Sequence, residues 1–85
     1  MGYTIIIKKN AQKQIISISE PYFSAIEKAI LSLENTPRPA GCKKLVGSKN
    51  VFRIRVGVYR IVYEIHDKVL TIFIFDVDYR KQVYK

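Results

Sequence analysis

The sequence predicts an α+β fold in the order β-α-α-β-β-β, a small, mostly antiparallel sheet with a helical hairpin packed on one face. Three observations predict it. The first half carries two apolar stripes at helical spacing, and the second half alternates apolar and polar residues with period two. Tight-turn residues divide that second half into short runs. The 85 residues hold one such unit, spanning 1–85, with no room for a second domain.

The elements follow in order. Tyr3–Lys8 is a β-branched run and reads as the first strand. Asn10 is placed to cap a short helix whose buried face takes Ala11, Ile15 and Ile18. Glu20-Pro21 then breaks the chain. Ser19 or Glu20 followed by proline suits a second helix start, since proline is tolerated in the first turn. Phe23, Ile26, Ile30 and Leu33 form its stripe, and Pro37, Pro39 and Gly41 forbid its continuation.

Val51–Val56 sets Phe52, Ile54 and Val56 against Arg53 and Arg55, the pattern of a half-buried strand. Gly57-Val58, with glycine first, suits a type II′ hairpin turn. Tyr59–Ile65 is the next strand. His66-Asp67-Lys68 turns it into Val69–Val77, which is apolar on both faces and therefore central in the sheet. Asp78–Lys85 is a charged tail.

Charge narrows the function. Fifteen Lys and Arg against seven Asp and Glu leave a net +8. Between Glu34 and Glu64 there is no acid, yet Arg38, Lys43, Lys44, Lys49, Arg53, Arg55 and Arg60 all fall there. So concentrated a field favours a polyanion, nucleic acid above all. Period two adds geometry: Arg53 and Arg55 point away from Phe52 and Ile54, and Arg60, Val62 and Glu64 share one face of their strand. If the helices cover the other face, the arginines gather on the open one, where guanidinium groups hold phosphates bidentately. Arg60 lies between apolar residues, a costly position for a charge unless it meets a ligand or an acid such as Glu64. Lys43, Lys44 and Lys49 read as contacts to backbone phosphates.

Other chemistries are excluded. One cysteine and one histidine, with no carboxylate cluster at ligand spacing, leave no metal site, and no cofactor is expected. Cys42 and His66 lack a third residue to orient them as a nucleophilic pair, and His66 reads as an exposed turn residue. No apolar stretch approaches the length of a membrane span and no secretory signal is legible, so a cytoplasmic protein is expected.

The segments Lys44-Leu45-Val46-Gly47, Val51-Phe52-Arg53-Ile54-Arg55-Val56 and Tyr59-Arg60-Ile61-Val62-Tyr63-Glu64-Ile65 resemble the RelE/ParE superfamily of small bacterial toxins. The tail Val77-Asp78-Tyr79-Arg80-Lys81-Gln82-Val83-Tyr84 resembles the same family's ending, an arginine followed four residues later by a tyrosine. The resemblance implies a toxin neutralised by a cognate antitoxin, and it covers essentially the whole chain. RelE-like members cleave mRNA in the ribosomal A site, whereas ParE-like members poison DNA gyrase; the tail favours the RelE side. A non-toxic RNA-binding relative is the further alternative. The resemblance implies that Arg60 holds the scissile phosphate and that Arg80 stabilises charge on it. Tyr84 then stacks on or orients the nucleotide, or assists proton transfer. Arg53 and Arg55 stand where RelE has lysines, and Tyr79, counted with the RNA-binding residues, stands where many relatives have histidine. A guanidinium is a poor base near neutrality, so the general base is left unassigned.

Overall fold

β-Branched runs, two helical stripes and a glycine turn fold the described residues into five strands and two helices. The computed structural model describes residues 2–79. Strand β1 (Thr4–Ile7) leads into helices α1 (Lys9–Ile16) and α2 (Tyr22–Ser32). Strands β2 (Lys43–Lys44), β3 (Val51–Val56), β4 (Tyr59–His66) and β5 (Thr71–Tyr79) follow, with a 3-10 turn at Asp67–Val69. The sheet order is β1-β5-β4-β3-β2, with β1 parallel to β5 and the other neighbours antiparallel. The expected meander is therefore present; β5 lies inside the sheet, but the middle strand is β4. The extra strand is β2, two lysines in a segment that reads as loop. Lys43 pairs with Arg53 and Lys44 with Phe52, and lysine on so short an edge discourages further strand addition.

The helices cover one face. Ala11, Ile18, Ile26, Ile30 and Leu33 pack on Phe52, Ile54, Ile61, Tyr63, Ile65, Ile72, Ile74 and Val77, all nearly or fully buried. Each such large aliphatic contributes about 1.5–3 kcal/mol by leaving water. The apolar stripes thus face the sheet, but Ile18 lies two residues past the end of α1, Leu33 is the C-cap of α2, and Ile15 and Phe23 are only half-buried.

Helix entry differs from expectation. Lys8, not Asn10, is the N-cap of α1, and it makes no side-chain cap bond. Asn10 instead donates from Nδ2 to the Phe75 carbonyl at 3.4 Å. The reason is that β5 runs on past the end of β1, which leaves backbone groups on its edge without a strand partner. Gln14 serves the same edge. Its Oε1 accepts from the Val77 N–H at 2.7 Å while its Nε2 donates to Asp76 Oδ1 at 2.9 Å. In α2 Pro21 is the N-cap, and the preceding Glu20 carboxylate accepts from the Ser24 N–H (3.2 Å) and Oγ (2.8 Å). The side chain of Glu20 thereby satisfies an otherwise orphaned donor of the first turn.

A β-bulge completes the frame. Val62 lies opposite Asp76 and Tyr63 opposite Ile74, so Phe75 is the extra residue of β5. One extra residue reverses the parity of everything after it. Ile72 and Ile74 face the helices before the bulge, and Val77 and Tyr79 do so after it. This phase change, invisible in a run of apolar residues, is why β5 looks apolar on both faces.

Candidate nucleic-acid interface

The open face is built from register. Arg55, Arg60 and Asp78 form one cross-strand row on β3, β4 and β5. Lys43, Arg53, Val62 and Asp76 form the next, and Val51, Glu64 and Phe73 the one after. Four cations from three adjacent strands therefore share the face that the helices leave uncovered.

Arg60 is the residue at the centre. It sits on the middle strand of the sheet, half-buried, directly opposite Arg55, a like-charge pair that a folded sheet disfavours. Its Nε is buried and has no hydrogen-bond acceptor among the described residues. Leaving a buried donor of this kind unmet costs roughly 1–3 kcal/mol. The expected alternative partner is engaged elsewhere: Glu64 Oε1 meets His66 Nε2 at 2.9 Å. Asp78, across from Arg60, accepts the Tyr79 N–H at 2.8 Å. A buried guanidinium N–H with no acceptor among the described residues, beside further cations, is an arrangement suited to an anion.

The remaining candidates divide. Lys43 and Arg53 share the second row, and Arg55 is exposed in the first. Lys44 pairs with Phe52 and so has the opposite parity, while Lys49 is exposed in the loop before β3. Tyr79 does not stand among the arginines. The bulge turns it to the helix side, where its ring lies 5.6 Å from that of Tyr59, its cross-strand partner. Arg80 and Tyr84 lie outside the described residues.

Arg38, counted in the basic stretch, belongs to the framework. Its Nη2 lies 2.9 Å from Asp67 Oδ2 and its guanidinium stacks 5.2 Å from the Phe52 ring. Asp67 also accepts from the Tyr3 hydroxyl at 2.6 Å. The Arg38 bond, with that of Tyr3, holds the Asp67 carboxyl below the usual carboxylate range. The cluster ties β1, the loop after α2 and the β4–β5 connection together across gaps of up to 64 residues, which no local pattern announces.

His66 is half-buried at the end of β4 rather than exposed in a turn, held by Glu64 and set edge-on to Phe73 at 5.3 Å. Cys42 packs against the helix-side core, so the two stand on opposite faces of the sheet. Near Cys42, Tyr63 donates to the Pro37 carbonyl at 2.9 Å. Burial, with the Cys42 thiol beside it, pushes its hydroxyl well above the usual phenol range and removes it from proton transfer near neutrality. Among the described residues no three His, Cys, Asp or Glu side chains gather as a metal site, and no helix is long and apolar enough to cross a membrane. Sequence reasoning missed Asp76 and Asp78, which only the bulged register brings into the arginine rows.

Comparison with known proteins bears on this geometry. The family described as "ParE toxin of type II toxin-antitoxin system, parDE" matches residues 5–84. The fold is similar to the RelE–RelB complex from the archaeon Pyrococcus horikoshii OT3 (TM-score 0.84, 27% identity, 94% of this chain and 97% of that one). It is also similar to the toxin–antitoxin complex RelBE2 of Mycobacterium tuberculosis (TM-score 0.81, 26% identity, 94% and 100%). The isolated E. coli RelE toxin shares the fold at 22% identity, with a TM-score of 0.80 over 91% of this chain and 83% of that one. A search of curated protein sequences finds no match.

Proposed function

The chain belongs to the family of ParE toxins of type II toxin–antitoxin systems, and from that premise we propose that it is a metal-independent endoribonuclease that cuts mRNA in the ribosomal A site. The observation that carries this reading is the arginine row, with the buried Nε of Arg60 lacking an acceptor among the described residues. A guanidinium held in that state, in a row of further cations, is placed to bind and stabilise the charge of a phosphate.

The chemistry asked of the site is modest. The RNA 2′-hydroxyl oxygen attacks the adjacent phosphorus, the bond from phosphorus to the 5′-oxygen breaks, and a 2′,3′-cyclic phosphate and a 5′-hydroxyl result. The 2′ proton passes to a base and the departing 5′-oxygen gains a proton. In-line alignment and stabilisation of the charge that builds on the non-bridging oxygens supply much of the rate. Arg60 binds those oxygens. Arg80 and Tyr84 join it by family resemblance, Arg80 on the same phosphate and Tyr84 against the nucleotide. Arg53, Arg55 and Lys43, with Lys44 and Lys49 at the margin, hold flanking phosphates. No cofactor takes part.

The complexes this chain resembles pair RelE with RelB. By the same reading this toxin has a cognate antitoxin, with acidic segments that cover the arginine face, and both work in the cytoplasm. The family description, which names ParE, favours a second reading in which the protein inhibits DNA gyrase by binding. Induced expression separates them. On the first reading methionine incorporation stops within minutes while thymidine incorporation continues. Early DNA breaks with translation intact support the second.

A further inference from the structure

Around the end of the sheet from the arginine row, three tyrosines form a chain of ring contacts. The centroids of Tyr22 and Tyr59 lie 5.4 Å apart at 62°, and those of Tyr59 and Tyr79 lie 5.6 Å apart at 59°. With Ser17, Ser19 and Glu20 they line an open cleft of about 530 Å³ between the α1–α2 connection and the β3–β4 turn. Tyr59 and Tyr79 are the cross-strand pair next to Arg60 and Asp78, so the cleft begins one residue along the strands from the arginine row, on the opposite face of the sheet.

We propose that this cleft receives an unstacked nucleobase of the same RNA strand, a proposal that rests on the RNA reading above. Tyrosine rings that remain partly exposed offer stacking surface to any base. Each oxygen of Glu20 accepts one bond from Ser24, and a carboxylate oxygen has a second acceptor site. That acceptor suits the amino group of cytosine, adenine or guanine and has no amino partner on uracil. A cationic peptide could also meet rings and carboxylate, but the net charge of +8 and the adjoining arginines favour a polyanion over it. The arginines then set where the strand lies, and the cleft sets which base lies beside it.

Amide NMR spectra of the full chain, titrated with CMP, AMP, GMP, UMP and ribose 5-phosphate, test this. Saturable shifts are expected at Ser17, Ser19, Glu20 and Gly57–Tyr59 with the three amino-bearing nucleotides, with UMP weaker by about tenfold. Ribose 5-phosphate is expected to move only the amides around Arg53, Arg55 and Arg60. Tyr22→Leu should weaken the cleft response at least about tenfold while the arginine amides still respond. Glu20→Gln keeps an acceptor for Ser24 and should narrow the gap between UMP and the others to under about threefold. Shifts confined to the arginine amides, or identical with ribose 5-phosphate, overturn the proposal. So does a cleft that answers N-acetyl-argininamide and no nucleotide. Because base binding is read without ribosomes, a silent cleft in a chain that cleaves mRNA removes this proposal alone. A base-binding cleft in a chain that cleaves nothing leaves it standing and removes the nuclease.

Discussion

Arg60→Ala is expected to abolish growth arrest and to lower single-turnover mRNA cleavage by about 10²- to 10³-fold, the range for loss of one preorganised charge-stabilising donor. The same substitution removes a buried Nε that lacks an acceptor among the described residues. It also removes the like-charge contact with Arg55. Stability should therefore stay level or rise by up to about 1 kcal/mol. An inactive variant at least as stable as the parent marks a residue kept for function at the expense of the fold. Arg60→Lys keeps the charge and loses the bidentate fork, so it should fall between the two. Loss of activity accompanied by unfolding in the alanine variant would make Arg60 a structural residue. Chemical denaturation beside the kinetics reads both quantities.

A large stability effect is expected at Gly57. Its φ of +61° opens the β3–β4 turn, a conformation that costs an L side chain roughly 1–2 kcal/mol. A Cβ there also runs into the ring of Tyr22, adding overpacking strain of about 1 kcal/mol or more. Gly57→Ala should therefore lose about 2–3 kcal/mol. At roughly 4–8 °C per kcal/mol for a domain of this size, the melting temperature falls by about 10–20 °C. Adding Tyr22→Ala removes the collision but not the backbone strain. The double variant should thus lose less than the two single losses added together, as a double-mutant cycle measures directly. Strict additivity would leave the backbone conformation as the sole cause.

Much of this architecture was legible in the chain because its signals are local. Val51–Val56 alternates cleanly, Gly57 marks its turn by residue type, and Phe23, Ile26, Ile30 and Leu33 keep helical spacing. What escaped is non-local. Asn10 and Gln14 look like ordinary helix residues until β5 is seen to run past β1 and need partners for its edge. The bulge at Phe75 sits in a run apolar on both faces, where a parity change leaves no mark, and it alone moves Tyr79 from the arginine side to the tyrosine cleft. Arg38 counts as free positive charge until Asp67, 29 residues away, is found against it. The candidate site was legible to the extent that strand parity sets it: Arg53, Arg55 and Arg60 stand together as period two requires. Its acidic neighbours Asp76 and Asp78 depend on register.

The most direct test of the nuclease reading is 5′-end mapping of a defined mRNA on purified ribosomes stalled with an empty A site, incubated with this protein and no divalent-metal supplement beyond that which holds the ribosome together. Cleavage inside the A-site codon, dependent on the ribosome and leaving a 5′-hydroxyl end, is the predicted result. Intact mRNA from the same preparation, together with loss of supercoiling by purified gyrase, would contradict it.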